Sequence, residues 1–248
     1  MQNQFSFHIA SCGLLVLAAV LTGCASVPQT VPGPSQQPSL DQHTKADTVW
    51  KHQTLPGKRA THYAFTRKDS RDAVAATANA SASLLRQSVN VGSVDLHHIK
   101  FSWLVPQLIE NADLGDRDLA DSPVRIVLAF EGDRSKFSVK NAMLSELSRA
   151  LTGEPMPYAT LMYVWCNTRP PGSVITSPRT DRIRKLVVES GAKNLNQWLD
   201  YDRDIRADFE TAFGEAPAAL VAVGIMTDSD NTKSTAHAWY GPVKLAGP

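Results

Sequence analysis

The sequence predicts a mainly-β fold, an antiparallel β-sandwich of jelly-roll type with two inserted helices. About eight short segments alternate apolar and polar residues or are rich in β-branched and aromatic residues, and turn residues separate them. Only two stretches carry helical periodicity. Since strands and helices do not alternate regularly, a doubly wound α/β fold is not favoured.

The N-terminal 23 residues are predicted to be a signal peptide. Ile9 to Leu21 is almost entirely apolar, and this run is shorter than the roughly 20 residues that span a bilayer as a helix. It ends on Leu21-Thr22-Gly23-Cys24, which resembles the lipobox of bacterial lipoproteins, although residues 1–10 contain no Lys or Arg. The resemblance implies cleavage before Cys24 and lipidation of its thiol. Ala25 after the cysteine implies the periplasmic face of the outer membrane of a Gram-negative bacterium.

Residues 24–47 are predicted to be a disordered tether. They are rich in Pro, Gln, Ser and Thr and have no apolar periodicity. In an extended polyproline conformation of roughly 3.1 Å per residue, such a segment reaches far from the lipid. The sequence therefore predicts one folded domain over residues 48–248.

Composition excludes several classes of function. The chain has 25 basic and 24 acidic residues, so no electrostatic argument favours nucleic acid as a partner. Once the signal peptide is removed and Cys24 is lipidated, only Cys166 remains. One thiol makes neither an internal disulfide nor a cysteine zinc site, and Cys166 is predicted to be a small buried residue.

The predicted strands follow the alternation of apolar side chains. In two of them, one face is formed by Ile99, Phe101, Trp103 and Val105, and by Val124, Ile126, Leu128 and Phe130. The full set is 61–66, 72–78, 99–105, 124–130, 158–165, 183–189, 219–226 and 236–245. Residues 220–226 are apolar on both faces, which is typical of a central strand.

Two helices are predicted between the strands. The first follows Ser138 as N-cap, places Val139, Met143, Leu147 and Ala150 on one side, and ends at Gly153. The second covers about residues 202–213. It places Ile205, Phe209 and Phe213 at four-residue spacing and ends at Gly214.

The polar segment after the predicted central strand is the first candidate site. In an extended backbone, Asp228, Asp230 and Thr232 project to the same side, with Asn231 between them. Their oxygen atoms are ligands that suit Ca²⁺, with Asp228 and Asp230 as the metal ligands. The EF-hand pattern fails, however, because Lys233 stands at its glycine position and Trp239 at its closing glutamate position. Asp and Asn capping a turn through their own backbone is the alternative interpretation.

A second acidic segment precedes residue 122. Asp118 and Asp121 belong to it, and two opposed carboxylates can hydrolyse a glycosidic bond if one of them has a raised pKa. A solvated loop with one aspartate paired to Arg125 is the alternative. His237 lies on the last predicted strand, near the Asp228 segment, and is the histidine best placed to join a site there.

Tryptophans are the third feature with a functional interpretation. Trp103 and Trp165 lie in apolar strands, where a core position is expected. Trp198 and Trp239 have more polar neighbours and are candidates for a surface platform on which a sugar ring stacks.

Several segments of the chain resemble a bacterial family known as domain of unknown function 3047. The similar segments are Trp50-Lys51, residues 81–85, 101–103, 121–125 and 187–191, Trp198, Asp208, Phe213-Gly214, residues 226–232 and Tyr240-Gly241. The resemblance covers about residues 49 to 246. It implies a secreted or periplasmic protein with a sandwich reminiscent of carbohydrate-binding modules, and it implies no particular activity.

Three functions follow as hypotheses. The first is an envelope-anchored lipoprotein with a non-catalytic binding domain, whose ligand is a glycan bound by Asp228, Asp230, Asn231, Thr232, His237, Trp198 and Trp239. The second is a hydrolase of envelope polysaccharide or peptidoglycan, which requires carboxylates facing each other across a cleft at roughly 5–10 Å. The third is a structural or assembly lipoprotein that binds another envelope protein.

Overall fold

Two β-sheets pack face to face in the computed structural model, which describes residues 49–247. The predicted signal peptide, Cys24 and the tether lie outside these residues. The larger sheet has seven strands in the order β1-β4-β11-β6-β7-β9-β8. The smaller sheet has the order β10-β5-β12-β3-β2, and β13 also pairs with β5. The predicted mainly-β sandwich with two helices is confirmed for the described residues.

The elements have the following bounds. The strands are β1 (Lys51–Thr54), β2 (His62–Lys68), β3 (Arg71–Asn79), β4 (Ala82–Val91), β5 (His98–Leu104), β6 (Ser122–Phe130), β7 (Ala159–Cys166), β8 (Val174–Thr176), β9 (Ile183–Ser190), β10 (Trp198–Asp204), β11 (Leu220–Asp228), β12 (Thr235–Tyr240) and β13 (Lys244–Ala246). The helices are α1 (Val139–Thr152) and α2 (Ile205–Phe213). Within residues 49–247, no helix is long and apolar enough to cross a membrane.

The main core lies between the two sheets. The predicted faces of β5 and β6 both point into it, and the side chains of Ile126, Leu128 and Phe130 are fully buried. Trp103 and Trp165 are buried in the same core, as expected. Strand β11 lies between β4 and β6, which explains why its sequence is apolar on both faces. Cys166 is buried in a smaller cluster on the outer side of the larger sheet.

The strand pairings differ from the predicted antiparallel pattern at one point. Strand β7 pairs with β9 in parallel, while the other pairings of the described sheets are antiparallel. The connection from β7 to β9 contains the short strand β8 and is long enough for the crossover that a parallel pair requires. Periodicity alone did not predict β1, β4, β8 or β10 as strands.

Helix α1 has the predicted limits, but it buries its polar side and exposes its apolar side, the reverse of an ordinary amphipathic helix. The side chain of Ser138 accepts a hydrogen bond from Asn141 N, and Gly153 ends the helix with a φ of 80°. Asn141 and Ser145 are the buried residues of α1. The Asn141 side chain donates to Asp181 Oδ1 at 2.6 Å and accepts from Thr180 Oγ1 at 2.7 Å. The apolar side of helix α1 therefore faces solvent.

Helix α2 begins at Ile205, so the prediction of a helix from about residue 202 was wrong at its start. Residues 198–204 pair with β5 as strand β10, and Asp204 caps the helix by accepting from Ala207 N at 3.0 Å. Ile205 and Phe209 are buried against the core, as their spacing predicted.

The predicted last strand is two strands, because the chain leaves the β-conformation at residues 241–243. A Cβ atom at Gly241 would overlap the hydroxyl of Ser102. This close approach lets Gly241 N donate to Ser102 O at 2.9 Å and leaves room for the ring of Trp198 above it.

Candidate functional site

The first candidate, the Asp228–Thr232 segment, lies at the end of β11 and is mostly buried. Asp228 is 5% and Asp230 6% exposed, while Asn231 and Thr232 are partly exposed. The register of β11 places Asp228 beside Ala82 of β4 and Ser122 of β6. The segment is therefore enclosed by the neighbouring strands rather than open to a ligand.

Asp228 forms a buried ion pair with Arg125. Arg125 Nε donates to Asp228 Oδ1 at 2.9 Å and Arg125 Nη2 to Asp228 Oδ2 at 2.8 Å, with Ser122 N as a third donor at 3.0 Å. Burial raises the pKa of Asp228, and the Arg125 charge and these hydrogen bonds oppose that effect. The alternative interpretation of the preceding acidic segment, in which one of its aspartates pairs with Arg125, was wrong in its pairing, since Arg125 donates there only to the carbonyl of Ala120.

Asp121 and Asp230 complete a cluster of three buried carboxylates. One oxygen of each of Asp121, Asp228 and Asp230 lies within 4.8 Å of the others. Asp121 is 1% exposed and accepts from Asn231 N at 3.2 Å, from Thr232 N at 2.7 Å and from Thr232 Oγ1 at 2.7 Å. Lys58 donates to Asp230 Oδ2. This cluster joins three separate stretches of the chain.

The donors around the cluster match a hydrogen-bonded network, in which two cationic side chains offset most of the negative charge, better than a calcium site. Ca²⁺ requires six to eight oxygen ligands, as a rule. Here both oxygens of Asp228 and both of Asp121 already accept hydrogen bonds from the protein, and the Lys58 ammonium lies beside Asp230. Arg125 and Lys58 thus supply the positive charge that a metal ion would otherwise contribute. In this arrangement the residues do not fit Ca²⁺ unless Lys58 withdraws.

The second candidate, the tryptophan pair, lies on the outer face of the smaller sheet. In the strand register, Trp239 of β12 is opposite Leu104 of β5, and Leu104 is opposite Trp198 of β10. Both tryptophans are partly exposed and flank the buried Leu104. With neighbouring strands about 4.8 Å apart, the two tryptophan Cα atoms are about 10 Å apart. We call Trp198, Leu104 and Trp239 the aromatic row.

Charged side chains surround the aromatic row. Arg71 forms a two-pronged ion pair with Asp200 at 2.7 and 3.1 Å, and its guanidinium lies 5.1 Å from the centre of the Trp198 ring. The Lys68 ammonium lies 5.3 Å from the centre of the Trp239 ring. The face therefore offers aromatic surface together with donors and acceptors for hydrogen bonds.

His237 lies on the same face as the aromatic row, two residues before Trp239. Its ring is exposed, and Nδ1 is 3.2 Å from Thr77 Oγ1. The structure thus brings together Trp198, Trp239 and His237 of the predicted site residues. It places Asp228, Asp230, Asn231 and Thr232 in the separate buried cluster.

Sequence reasoning missed Arg71, Lys68 and Asp200. A signal for Asp200 was present, because apolar and polar residues alternate over residues 199–202, but this run is short and the end of the strand, from Asp202, was taken for the start of a helix. Arg71 and Lys68 lie on either side of the β2–β3 turn, and no sequence signal relates that turn to the tryptophans.

Fold and site together define a class of protein: a β-sandwich domain with an aromatic row on one sheet face. The chain belongs to the family described as Protein of unknown function (DUF3047), whose model matches residues 48–244. A search of the curated proteins returns no match.

Three solved structures are similar over most of the chain. The family 11 carbohydrate-binding module of cellulosomal cellulase Lic26A-Cel5E of Clostridium thermocellum is 7% identical, with a TM-score of 0.39 over 80% of this chain and 88% of that chain. The family 11 module from Clostridium thermocellum in complex with a β-1,3-1,4-mixed-linked tetrasaccharide is 8% identical, with a TM-score of 0.40 over 84% and 94%. The xyloglucanase domain of NopAA from Sinorhizobium fredii in complex with cellobiose is 9% identical, with a TM-score of 0.40 over 80% and 93%. Similarity this low does not assign a ligand to the present chain.

Proposed function

We propose that this protein is an envelope-anchored lipoprotein whose β-sandwich binds a glycan, without catalysis, on the outer face of its smaller sheet. The observation that carries the proposal is the aromatic row, two partly exposed tryptophans held by one strand register on a regular face. The anchor part of the proposal rests on the sequence from Ile9 to Cys24.

A glycan matches the chemistry of this face. The C–H face of a sugar ring stacks on an aromatic ring, and its hydroxyl groups exchange hydrogen bonds with charged side chains. Trp198 and Trp239 supply two rings on one face, and Asp200 supplies carboxylate oxygens beside the Trp198 ring. Because the tryptophans lie on different strands about 10 Å apart, one chain of several sugars can contact both.

The buried carboxylates do not support hydrolysis. A glycosidase needs two carboxyl groups that reach the scissile bond from a cleft. Asp121, Asp228 and Asp230 are close to one another, but each is at least 94% buried and is held by Thr232, Arg125 or Lys58. Binding is therefore favoured over hydrolysis.

The test of glycan binding uses a chain of residues 25–248 on a glycan array, with and without Ca²⁺. Within residues 49–247, the hydrophobic residues of the main core lie between Trp50 and Leu245, so this chain retains that core and lacks only the predicted signal peptide and Cys24. We expect binding to at least one glycan, loss of that binding in the variant Trp198→Ala/Trp239→Ala, and no dependence on Ca²⁺.

A matched control is Phe65→Ala. Phe65 is an exposed aromatic residue of the same sheet. The residue before it, Ala64, lies in register with Trp239 through Ala75. Because side chains alternate along a strand, the Phe65 side chain lies on the opposite face of the sheet from the aromatic row. The control should bind like the unchanged protein. Binding that survives in the double tryptophan variant would reject the aromatic row. The absence of binding to any glycan would reject the ligand class and favour the assembly role.

The lipid anchor is tested separately in the full chain. Cells that express it are labelled with a radioactive fatty acid, and the unchanged chain is compared with Cys24→Ser. We expect label on the unchanged chain only. Label on neither chain would reject the anchor and leave the glycan proposal intact.

A further inference from the structure

Helix α1 presents an apolar surface to solvent along its whole length. Val139 is 80%, Met143 68%, Leu147 54% and Leu151 61% exposed. Their spacing of four residues places them in one row about 20 Å long, which we call the α1 stripe. They are four of the seven large hydrophobic side chains that are exposed in residues 49–247. Such a concentration on one element marks an interaction surface.

The inverted orientation of α1 is fixed by specific contacts. The opposite side of the helix carries Asn141 and Ser145, both buried, and Asn141 is bound by Thr180 and Asp181. Turning the stripe inward would break these hydrogen bonds and leave the hydroxyl group of the buried Thr180 without its acceptor. The exposure of the stripe is therefore a built feature of the fold.

The stripe also borders an apolar groove. Between α1 and the outer face of the larger sheet lies a groove of about 490 Å³, with Leu147 and Leu151 on the helix side and Val127 and Met162 on the sheet side. Residues Gln53–Pro56, from β1 and the turn after it, form part of its wall. Apolar surface thus extends from the helix onto the sheet.

The chain enters the domain beside this surface. Strand β1 is the edge strand of the larger sheet, and its first residue, Lys51, pairs with Arg86. Arg86 forms an ion pair with Glu154, two residues past the end of α1, at 2.9 Å. The segment that leads back to Cys24 therefore joins the domain near the C-terminal end of the stripe. A lipid at Cys24 would hold the domain within the length of the tether from a membrane, and the stripe lies close to the point where the tether is attached.

We infer that the α1 stripe docks on the bilayer in which the lipid anchor is inserted. This inference rests on the proposed lipidation of Cys24. The aliphatic side chains enter the boundary between headgroups and acyl chains, and Lys140, which is exposed next to the stripe, faces the headgroups. Docking fixes the orientation of the domain, which the tether alone does not do.

The test measures flotation of residues 25–248, which lack the lipid, with vesicles of phosphatidylethanolamine and phosphatidylglycerol. We expect a vesicle-bound fraction, and about a tenfold weaker partition for Met143→Asp and for Leu147→Asp, since each removes one buried aliphatic side chain from the lipid. Phe65→Asp is the matched control, because Phe65 is equally exposed but belongs to the other sheet. It should partition like the unchanged chain.

Three results would overturn the inference. One is the absence of vesicle binding at lipid concentrations that retain an amphipathic peptide. Another is binding that Met143→Asp and Leu147→Asp leave unchanged. The third is sedimentation of the unchanged chain as a dimer that Leu147→Asp dissociates, in which case the stripe is an interface between two copies. Fatty-acid labelling of Cys24 is independent of this assay, so failure of the anchor and failure of the docking surface are distinguished.

Discussion

The buried aspartate cluster and the aromatic row contain the same kinds of residue, but the structure gives them different roles. Asp228 at the end of β11 has Arg125 as its partner inside the protein, with both side chains less than a tenth exposed. Asp200 of β10 also pairs with an arginine, Arg71, yet both side chains are exposed, beside the ring of Trp198. An ion pair in the interior stabilises one arrangement of the chain, whereas a surface pair can exchange its partner for a ligand.

The largest expected effect comes from breaking the buried pair. Asp228→Asn leaves the Arg125 charge without a partner, which should lower the free energy of unfolding by about 3–5 kcal/mol. Urea unfolding of residues 25–248 measures it. Replacing both partners, as in Arg125→Met/Asp228→Leu, should cost less than the sum of the two single variants.

The control for this variant is Asp72→Asn, since the Asp72 side chain is 85% exposed in its pair with Arg67. It should unfold like the unchanged chain. If Asp228→Asn were as stable as the control, the buried cluster would not be the structural network described above.

The second effect is a dependence of stability on pH that originates near the same cluster. Lys185 is buried, and burial, reinforced by the Arg125 charge, lowers its pKa from 10.5 to about 7. Between about pH 7 and pH 10, the unfolded chain holds a proton on this lysine that the folded chain has lost. Stability should therefore rise with pH, by at most about 1.4 kcal/mol per pH unit, and most steeply above pH 8.

The free energy of unfolding, measured in urea at about pH 7.5 and at about pH 9, gives this slope. The variant Lys185→Met should flatten it, because it removes the group that titrates. An equal slope in both chains would show that Lys185 is not the group responsible.

The third effect separates stability from binding at the aromatic row. Trp239→Ala should lower glycan affinity on the order of 30-fold, the loss typical of a tryptophan at the centre of a binding surface. Since the side chain is only partly buried, the free energy of unfolding should fall by no more than about 2 kcal/mol. The comparison fails if Trp239→Ala is destabilised as strongly as Asp228→Asn while its affinity is unchanged.

Much of the fold could be predicted because burial leaves a periodic signal in the sequence. The alternation in Val124–Phe130 and the caps at Ser138, Gly153 and Gly214 gave correct elements. Strand β10 was missed because its alternation covers only residues 199–202 and because Asp202 and Asp204 resemble the acidic first turn of a helix.

The site could be predicted only in part. The polar neighbours of Trp198 and Trp239 indicated exposure, and the structure places both on the surface. The polar residues around Asp228 indicated exposure just as strongly, but Arg125 is 103 residues from Asp228 in sequence and Lys58 is 172 residues from Asp230. Sequence order does not show which distant charges neutralise an aspartate, so the burial of this cluster was not predictable.

The smallest effect tests whether the cluster needs a metal ion. The Lys58 side chain is 36% exposed beside the buried Asp230, so Lys58→Ala should cost only about 1 kcal/mol of stability. The unchanged chain should have the same melting temperature in Ca²⁺ and in a chelator, because Lys58 and Arg125 already supply positive charge to the three carboxylates. A rise in melting temperature with Ca²⁺ in the unchanged chain would mean that the ion displaces Lys58. The cluster would then be a ligand-binding site, like the aromatic row, and not a purely structural network. A rise confined to Lys58→Ala would show instead that the lysine stands where a cation would bind.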